Sequence, residues 1–209
     1  TPRLLSGHPI AAPFGFFAQD KLKKVVASGG PAQSLCDAFY FGGSWSRDDV
    51  IVFRDARGIQ RVAAAGGVPV AVTETKGNPF SPVFLPDGRH FLYSLIGAPA
   101  EQAGVYVSSL DGKENRRVLA DATSVVFAPS ARSGQAGHIL FVRANTLMAQ
   151  SFDAASAQVS GDAFPVAENV SLRSTSGGTH MPASVSENGM LLYESGGAAG
   201  GNQIGWFDR

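Results

Sequence analysis

The chain has 209 residues, of which 44% are hydrophobic and only 16% are charged, and its 17 basic residues balance 17 acidic ones. This length allows one domain with a substantial buried core. The balanced charge, without a basic run, excludes a global field that attracts nucleic acid or an anionic membrane, so neither is a predicted partner. The low charged fraction, together with 25 Gly and 12 Pro, favours short strands and turns over solvated helices.

A single cysteine, Cys36, excludes an intrachain disulfide, and we expect a buried thiol without a chemical role. No apolar run approaches the roughly 20 residues of a membrane-spanning helix, so we predict no membrane insertion by this segment. No signal-peptide pattern opens the chain. We therefore expect a soluble piece of a longer protein whose targeting elements lie elsewhere.

Five short apolar runs recur along the chain, and each ends in an aromatic residue. The runs are 14–17, 50–53, 91–93, 139–141 and 191–193, and they end in Phe17, Phe53, Tyr93, Phe141 and Tyr193. The intervals between these aromatic residues are 36, 40, 48 and 52 residues. After each of the first four runs come a second strand-like segment, a turn and a further strand-like segment. The pattern predicts a repeated unit of four antiparallel strands.

A turn-like segment precedes four of the five runs, most clearly where Pro86-Asp87-Gly88 separates two apolar strands. The residues at and beside one repeated turn position are Asp48, Asp87, Gly88, Asn188 and Gly189. We predict that the Asp and Asn side chains cap the turn between the first two strands through Asx-type hydrogen bonds. Recurrence at one structural position favours a scaffold role, because a catalytic site needs only one copy.

Repeated four-stranded units of this length are typical of β-propeller blades, whereas helical repeats would need a 3.6-residue apolar period that the chain lacks. We predict an all-β propeller in a single domain, 1–209. Its five blades are approximately 8–38, 39–75, 76–121, 122–170 and 171–209 plus 1–7. We expect the ring to close by pairing of the N-terminal strand Arg3-Leu4-Leu5 with the C-terminal blade, beside 203–207. Because only six residues separate Gly7 from Phe14, the first blade is expected to have three strands or an irregular one over 8–12.

No catalytic or metal-binding pattern occurs in the sequence. Two histidines, His90 and His138, share one repeat position on different blades, which separates them too far for a common metal ion. A Gly-x-Ser-x-Gly nucleophile turn is missing, and the paired glycines lack the Gly-x-x-x-x-Gly-Lys-Ser/Thr phosphate-binding pattern. We predict no enzyme activity, no cofactor and no metal site.

Loops at one rim of the central channel are the expected location of function in a propeller. The segments that connect the last strand of one blade to the first strand of the next carry aromatic residues, an arginine and a histidine, which are unusual in connectors. The predicted binding residues for a small ligand or peptide are Tyr40, Asn78, Phe80, Arg173 and His180. Packing at the blade junctions is the alternative explanation for the same residues.

The repeats resemble the WD-like β-propeller repeats of the TolB-like superfamily. The resemblance is carried by 21–25 with 29–31, 43–48, 84–93, 140–143 with 146–150, and 205–209. It is closest to the propeller regions that follow the kinase domain of certain bacterial serine/threonine protein kinases, although no kinase signature is present. The resemblance implies a ligand-sensing or protein-interaction region of a bacterial signalling protein, outside the cytoplasm. Two alternatives stay open, the propeller gate of a prolyl-oligopeptidase-like peptidase and an isolated, self-associating fragment.

Overall fold

A computed structural model describes residues 3–4, 13–39, 42–73, 77–130, 135–175, 178–186 and 188–196 of the chain. Every regular element in these ranges is a β-strand. Within the same ranges, no helix is long and apolar enough to cross a membrane.

Four sheets of four antiparallel strands follow one another along the chain, each in sequence order. The first contains β1 (Arg3–Leu4), β2 (Phe14–Ala18), β3 (Lys21–Val25) and β4 (Gln33–Asp37). The second contains β5 (Gly43–Trp45), β6 (Val50–Asp55), β7 (Gly58–Ala63) and β8 (Val70–Thr73). The third contains β9 (Asn78–Phe84), β10 (His90–Ile96), β11 (Gly104–Ser109) and β12 (Asn115–Leu119). The fourth contains β13 (Val125–Pro129), β14 (Ala136–Arg143), β15 (Thr146–Asp153) and β16 (Gln158–Glu168). Two hairpins follow, β17 (Arg173–Thr175) with β18 (Gly178–His180) and β19 (Ala183–Val185) with β20 (Leu191–Tyr193).

The all-β prediction and the four-stranded antiparallel sheets are confirmed, and the apolar runs form the second strands. Ile51, Val52 and Phe53 of β6 are all fully buried. A continuous apolar run of this kind is expected where both faces of a sheet are covered, because alternate side chains then enter two different cores.

The cores lie between neighbouring sheets. Phe53 packs with Phe17 of the first sheet at a ring-centroid distance of 6.2 Å. The adjacent Val52 points the other way and packs with Phe91 of the third sheet. Leu92 in turn joins the core that the third sheet shares with the fourth. The sheets are therefore stacked face to face in sequence order, as the blades of a propeller are.

The first strands of successive sheets lie side by side. β9 contacts both β5 and β13, and β13 also contacts β19. These four strands form a row of neighbours that lines one side of a common axis, as the inner strands of propeller blades do.

The N-terminal strand lies elsewhere than expected. Arg3 pairs with Phe17 and Leu4 with Phe16, so β1 is the first strand of the first sheet rather than the outer strand of the last. This corrects the expected three-stranded or irregular first blade, because residues before the short spacer supply the missing strand. Ring closure beside 203–207 is not confirmed, since 197–209 lie outside the described residues.

Three segments expected to be turns or connections are strands. Asn78 and Phe80 belong to β9, and Arg173 and His180 lie opposite each other in the β17–β18 hairpin. The turn after β15 covers only 154–157, since the carboxylate of Asp153 accepts the N–H of Ala155 at 2.9 Å. From the sequence we expect a long turn over 153–161 between these two strands, but β16 already begins at Gln158.

Candidate functional site

A cavity of about 460 Å³ lies at the end of the first strands of four consecutive sheets. Its walls come from 44–47, 83–86 with 88, 126–127 with 129, and 183–186, which lie in β5, β9, β13 and β19 and in the turns that follow three of them. Because each sheet contributes its first strand, the cavity lies on the axis that these strands line.

The walls of this axial cavity are mainly apolar. Trp45 is only 1% exposed, and its indole N–H donates to a carboxylate oxygen of Asp49 at 3.2 Å, which orients the ring. Phe84 packs edge-on against Phe91, with 6.3 Å between ring centroids. Phe127 belongs to the core between the third and fourth sheets. Apolar walls with few polar groups are the usual character of a small-ligand pocket.

The polar wall residues are four serines and one arginine. The hydroxyl oxygen of Ser46 accepts the N–H groups of Asp48 at 3.3 Å and Val50 at 3.2 Å. The hydroxyl oxygen of Ser186 accepts the N–H of Met190 at 3.0 Å in the corresponding turn. Arg47 is exposed and forms no ion pair with a described residue.

The turns at the mouth of the cavity share one geometry. Their first residues donate backbone N–H groups across the turn, from Ser46 to Val50 (2.8 Å), Leu85 to His90 (2.8 Å) and Ser186 to Met190 (2.9 Å). The fourth residue of each has a positive φ, 57° at Asp49, 70° at Gly88 and 82° at Gly189. Glycine and aspartate tolerate this backbone region best, which explains these residue types at the repeat position.

The three acidic or amide residues of these turns make different contacts. Asp87 accepts the N–H groups of Arg89 at 3.0 Å and His90 at 2.9 Å, as in an Asx turn, and its second oxygen contacts Nδ1 of His90. Burial alone raises the pKa of the Asp87 carboxyl, but these hydrogen bonds outweigh it and lower the pKa below its ordinary value.

Asp48 and Asn188 do not cap their turns in this way. The carboxylate of Asp48 lies against Gly88 of the neighbouring turn, while Ser46 binds the N–H groups of its own turn. The amide oxygen of Asn188 accepts from the hydroxyl of Ser186. In both turns the serine performs the capping that the aspartate performs in the third sheet.

Three of the predicted binding residues lie at the opposite end of the axis. Phe80, near the start of β9, is 1% exposed, and its ring centroid is 5.9 Å from that of His180. Arg173 lies opposite His180 and forms an ion pair with Glu194. The structure therefore brings these three predicted residues together in internal contacts. Their binding role stays a prediction.

Two further predicted residues remain apart from this group. The side-chain oxygen of Asn78 accepts from the guanidinium of Arg54 at 3.5 Å, between the second and third sheets. Tyr40 lies outside the described residues.

The β17–β18 hairpin contacts the starting end of β9 through the ring pair of His180 and Phe80. Met181, directly after β18, packs against the apolar clusters on both faces of the fourth sheet. A residue can contact both faces of a sheet only if it lies at an edge of that sheet. Met181 lies at the inner edge of the fourth sheet, because the neighbouring His180 contacts Phe80 of β9. The cavity is therefore at the end of the axis away from the hairpin.

Sequence reasoning missed the residues of the cavity wall. Trp45, Phe84 and Val185 share one repeat position, directly before the turn that ends the first strand. This recurrence was available in the sequence, but a bulky apolar residue before a turn does not by itself distinguish a cavity wall from a core.

The expectation of a buried thiol is met only in part. Cys36 is partly buried, and burial raises the pKa of its thiol to about 11. In the described part of the chain, no three or more His, Cys, Asp or Glu side chains converge as metal ligands would.

No protein-family profile and no curated protein sequence matches the chain. TolB from Acinetobacter baumannii matches 97% of the chain with a TM-score of 0.61 and 16% identity. A putative TolB from Agrobacterium tumefaciens matches 71% with a TM-score of 0.54 and 18% identity. Oligogalacturonate lyase from Vibrio parahaemolyticus matches 88% with a TM-score of 0.53 and 12% identity.

These similarities define the fold as a β-propeller whose structural neighbours are TolB-like proteins. The chain covers 48% and 59% of the two TolB structures and 71% of the lyase, so it spans roughly half the length of the TolB proteins. One of these neighbours is named as an enzyme, so the shared fold alone does not define an activity.

Proposed function

We propose that the chain is a non-enzymatic binding propeller within a larger bacterial signalling protein, and that its ligand occupies the axial cavity. The main support for the proposal is the axial cavity itself. Its volume of about 460 Å³ falls within the usual range for small-ligand sites, and aromatic residues from three different sheets form its walls. A ligand there would touch four sheets at once, and its binding would be coupled to their relative positions.

The contacts of His90 support a non-catalytic role. An Asp–His pair activates a nucleophile only if the second ring nitrogen faces a hydroxyl or thiol. Nδ1 of His90 contacts Asp87, but Nε2 faces a carboxylate oxygen of Glu114 at 3.3 Å. The wall serines Ser46 and Ser186 bind backbone N–H groups instead.

The signalling context rests on the resemblance to kinase-linked propellers and on the chain spanning about half the length of the TolB structures. The neighbouring coding sequence tests it. A kinase domain and a membrane span in the same reading frame are the expected finding. An α/β-hydrolase segment would instead support the peptidase-gate alternative.

The proposed ring has five blades, with β19 and β20 as inner strands of the fifth. The contacts of the first strands support this assignment, because β19 contacts β13 and β13 in turn contacts β9. A structure of the complete ring with another number of blades would contradict this count.

A second candidate function is self-association, which exposed apolar side chains favour. Phe164 on β16, Met190 and Leu192 are 47%, 48% and 44% exposed. Large apolar side chains on a sheet near its outer edge often mark contact surfaces. Sedimentation velocity over a wide concentration range tests this candidate, and a monomer throughout would exclude it.

The binding proposal is tested by blocking the cavity. The probe is N-phenyl-1-naphthylamine, a neutral dye that fluoresces in apolar sites. Ser184 is exposed at the cavity wall, so Ser184→Trp fills the mouth without disturbing a core. We expect at least about a tenfold loss of dye affinity, because the aromatic side chain takes the volume that the dye needs.

Ser160→Trp is the matched control, since Ser160 is equally exposed on β16 but does not line the cavity. This variant should bind the dye as the wild type does. Wild-type protein that does not bind the dye, or equal affinity of both variants and the wild type, would rule out the cavity as the binding site.

A further inference from the structure

We infer that the axial cavity selects a small apolar molecule that carries one anionic group of the carboxylate or sulfonate type. This inference rests on the proposed binding function and adds the chemical class of the ligand. The polar groups at the mouth and their hydrogen-bonding capacity support it.

The unpaired polar groups of the described wall side chains are mainly donors. Arg47 is the one charged residue among the described wall residues, and its guanidinium has no ion-pair partner there. The oxygen of Ser46 already accepts two backbone N–H groups, which uses both of its lone pairs and leaves its proton to donate. Ser184 is exposed and makes no side-chain hydrogen bond to a described residue. A ligand group that accepts hydrogen bonds suits this set, and a charged acceptor binds an arginine most strongly.

The position of Arg47 fits this role. A methyl group on Gly88 would lie 3.8 Å from Cγ of Arg47, so the aliphatic stem of the arginine runs along the neighbouring turn. Long cationic side chains commonly bury the stem in this way and keep the charged head in water. Arg47 therefore lines the cavity with its stem near Gly88 and with an exposed side chain.

Three carboxylates near the mouth oppose the binding of an anion by charge repulsion, and two of them accept hydrogen bonds from described residues. Asp49 accepts the indole N–H of Trp45, and Asp87 is bound to His90 and its own turn. Asp48 remains, with its carboxylate against Gly88. Its charge should weaken anion binding, which makes Asp48 a useful position for the test.

The test compares two dyes that differ in one charge. The first, 8-anilinonaphthalene-1-sulfonate, is an aromatic anion, and N-phenyl-1-naphthylamine has the same ring system without the sulfonate. Both are titrated into the wild type and into Arg47→Gln, which keeps a polar side chain but removes the charge. We expect Arg47→Gln to lower the affinity for the sulfonate about tenfold relative to the neutral dye, the size of one charge-assisted hydrogen bond.

Asp48→Asn is the opposite variant and should raise the affinity for the sulfonate a few-fold without changing that for the neutral dye. Far-ultraviolet circular dichroism and the melting temperature exclude unfolded protein, to which such dyes also bind. An affinity ratio of the two dyes that is the same in Arg47→Gln and the wild type overturns the anion inference alone. Binding of the sulfonate that survives Ser184→Trp, or no binding of either dye, overturns the cavity site as well.

Discussion

The residues at the two ends of the propeller axis differ in whether their side chains contact one another or line a cavity. At one end His180 and Arg173, which stand out in the sequence, are occupied by contacts with Phe80 and Glu194. At the other end, ordinary strand and turn residues such as Val126 and Ser184 surround a cavity. Arginine and histidine residues in a connection can thus take part in internal contacts, whereas the candidate binding site lies where the ends of several strands meet.

This difference has a geometric origin. The connection of 171–182 between the fourth sheet and β19 contains the β17–β18 hairpin, whose His180 contacts Phe80 near the start of β9. The described turns at 46–49 and 85–89 are short and closed by backbone hydrogen bonds, and the cavity lies at this end of the first strands.

The largest effect is expected at the hairpin end. Phe80→Ala removes a ring that is 1% exposed and contacts His180, so it should lower the free energy of unfolding by about 3 to 5 kcal/mol. Urea denaturation measures this loss. Phe164→Ala, at a position 47% exposed, is the control and should cost much less.

The comparison also predicts that Phe80→Ala leaves the affinity for the neutral dye unchanged wherever the variant is folded. A loss of dye binding in the folded variant would mean that the two ends are not independent.

An intermediate effect is expected at the cavity wall. A methyl group on Gly137 would lie 2.9 Å from the ring of Phe127 and would also meet the backbone oxygen of Ala128. Gly137→Ala should therefore shift β13, cost about 1 to 3 kcal/mol and weaken dye binding.

Gly161→Ala separates the loss of binding from a general loss of stability. Gly161 has a φ of 63° but open space around it, so alanine there strains the backbone without touching the cavity. Urea denaturation and dye titration of both variants provide the comparison. Equal dye affinities would show that Phe127 does not shape the site.

The smallest effect concerns the capped turn at the mouth. Asp87→Ala removes the acceptor for two backbone N–H groups and should cost about 1 kcal/mol at about pH 7. The folded pKa of Asp87 is below its ordinary value of 3.8, so its contribution is present above that value and is lost as the pH falls through the folded pKa.

The stability difference between the wild type and Asp87→Ala should accordingly shrink as the pH falls below 3.8 and vanish once the carboxyl is protonated in both states. Asp87→Asn keeps a side-chain acceptor and should lose less at neutral pH. Urea denaturation at several pH values measures both variants. A difference that persists in acid would mean that packing, rather than the ionised carboxylate, holds the turn.

Local patterns in the sequence were enough to predict the repeated strands. The buried runs of β6, β10 and β14 are apolar without interruption because neighbouring sheets cover both faces, and that property is visible in the chain itself. The turn residues Asp87 and Gly88 were equally visible, because turn chemistry depends on adjacent residues.

The candidate site could not be predicted in the same way. Arg173 and His180 were expected in a rim loop, but the hairpin that they form is held by residues distant in the sequence, Glu194 and Phe80. The wall residues were missed because each looks like an ordinary core residue within its own strand.

The sequence by itself thus determined the repeated apolar strands, their order and the turns beside them, since these depend on side-chain alternation and backbone preference over a few residues. Only the tertiary structure decided that β1 joins the first sheet and that a cavity lies on the axis. The physical reason is that Trp45 and Val185 become neighbours only through the stacking of four sheets. No short stretch of the chain encodes that stacking.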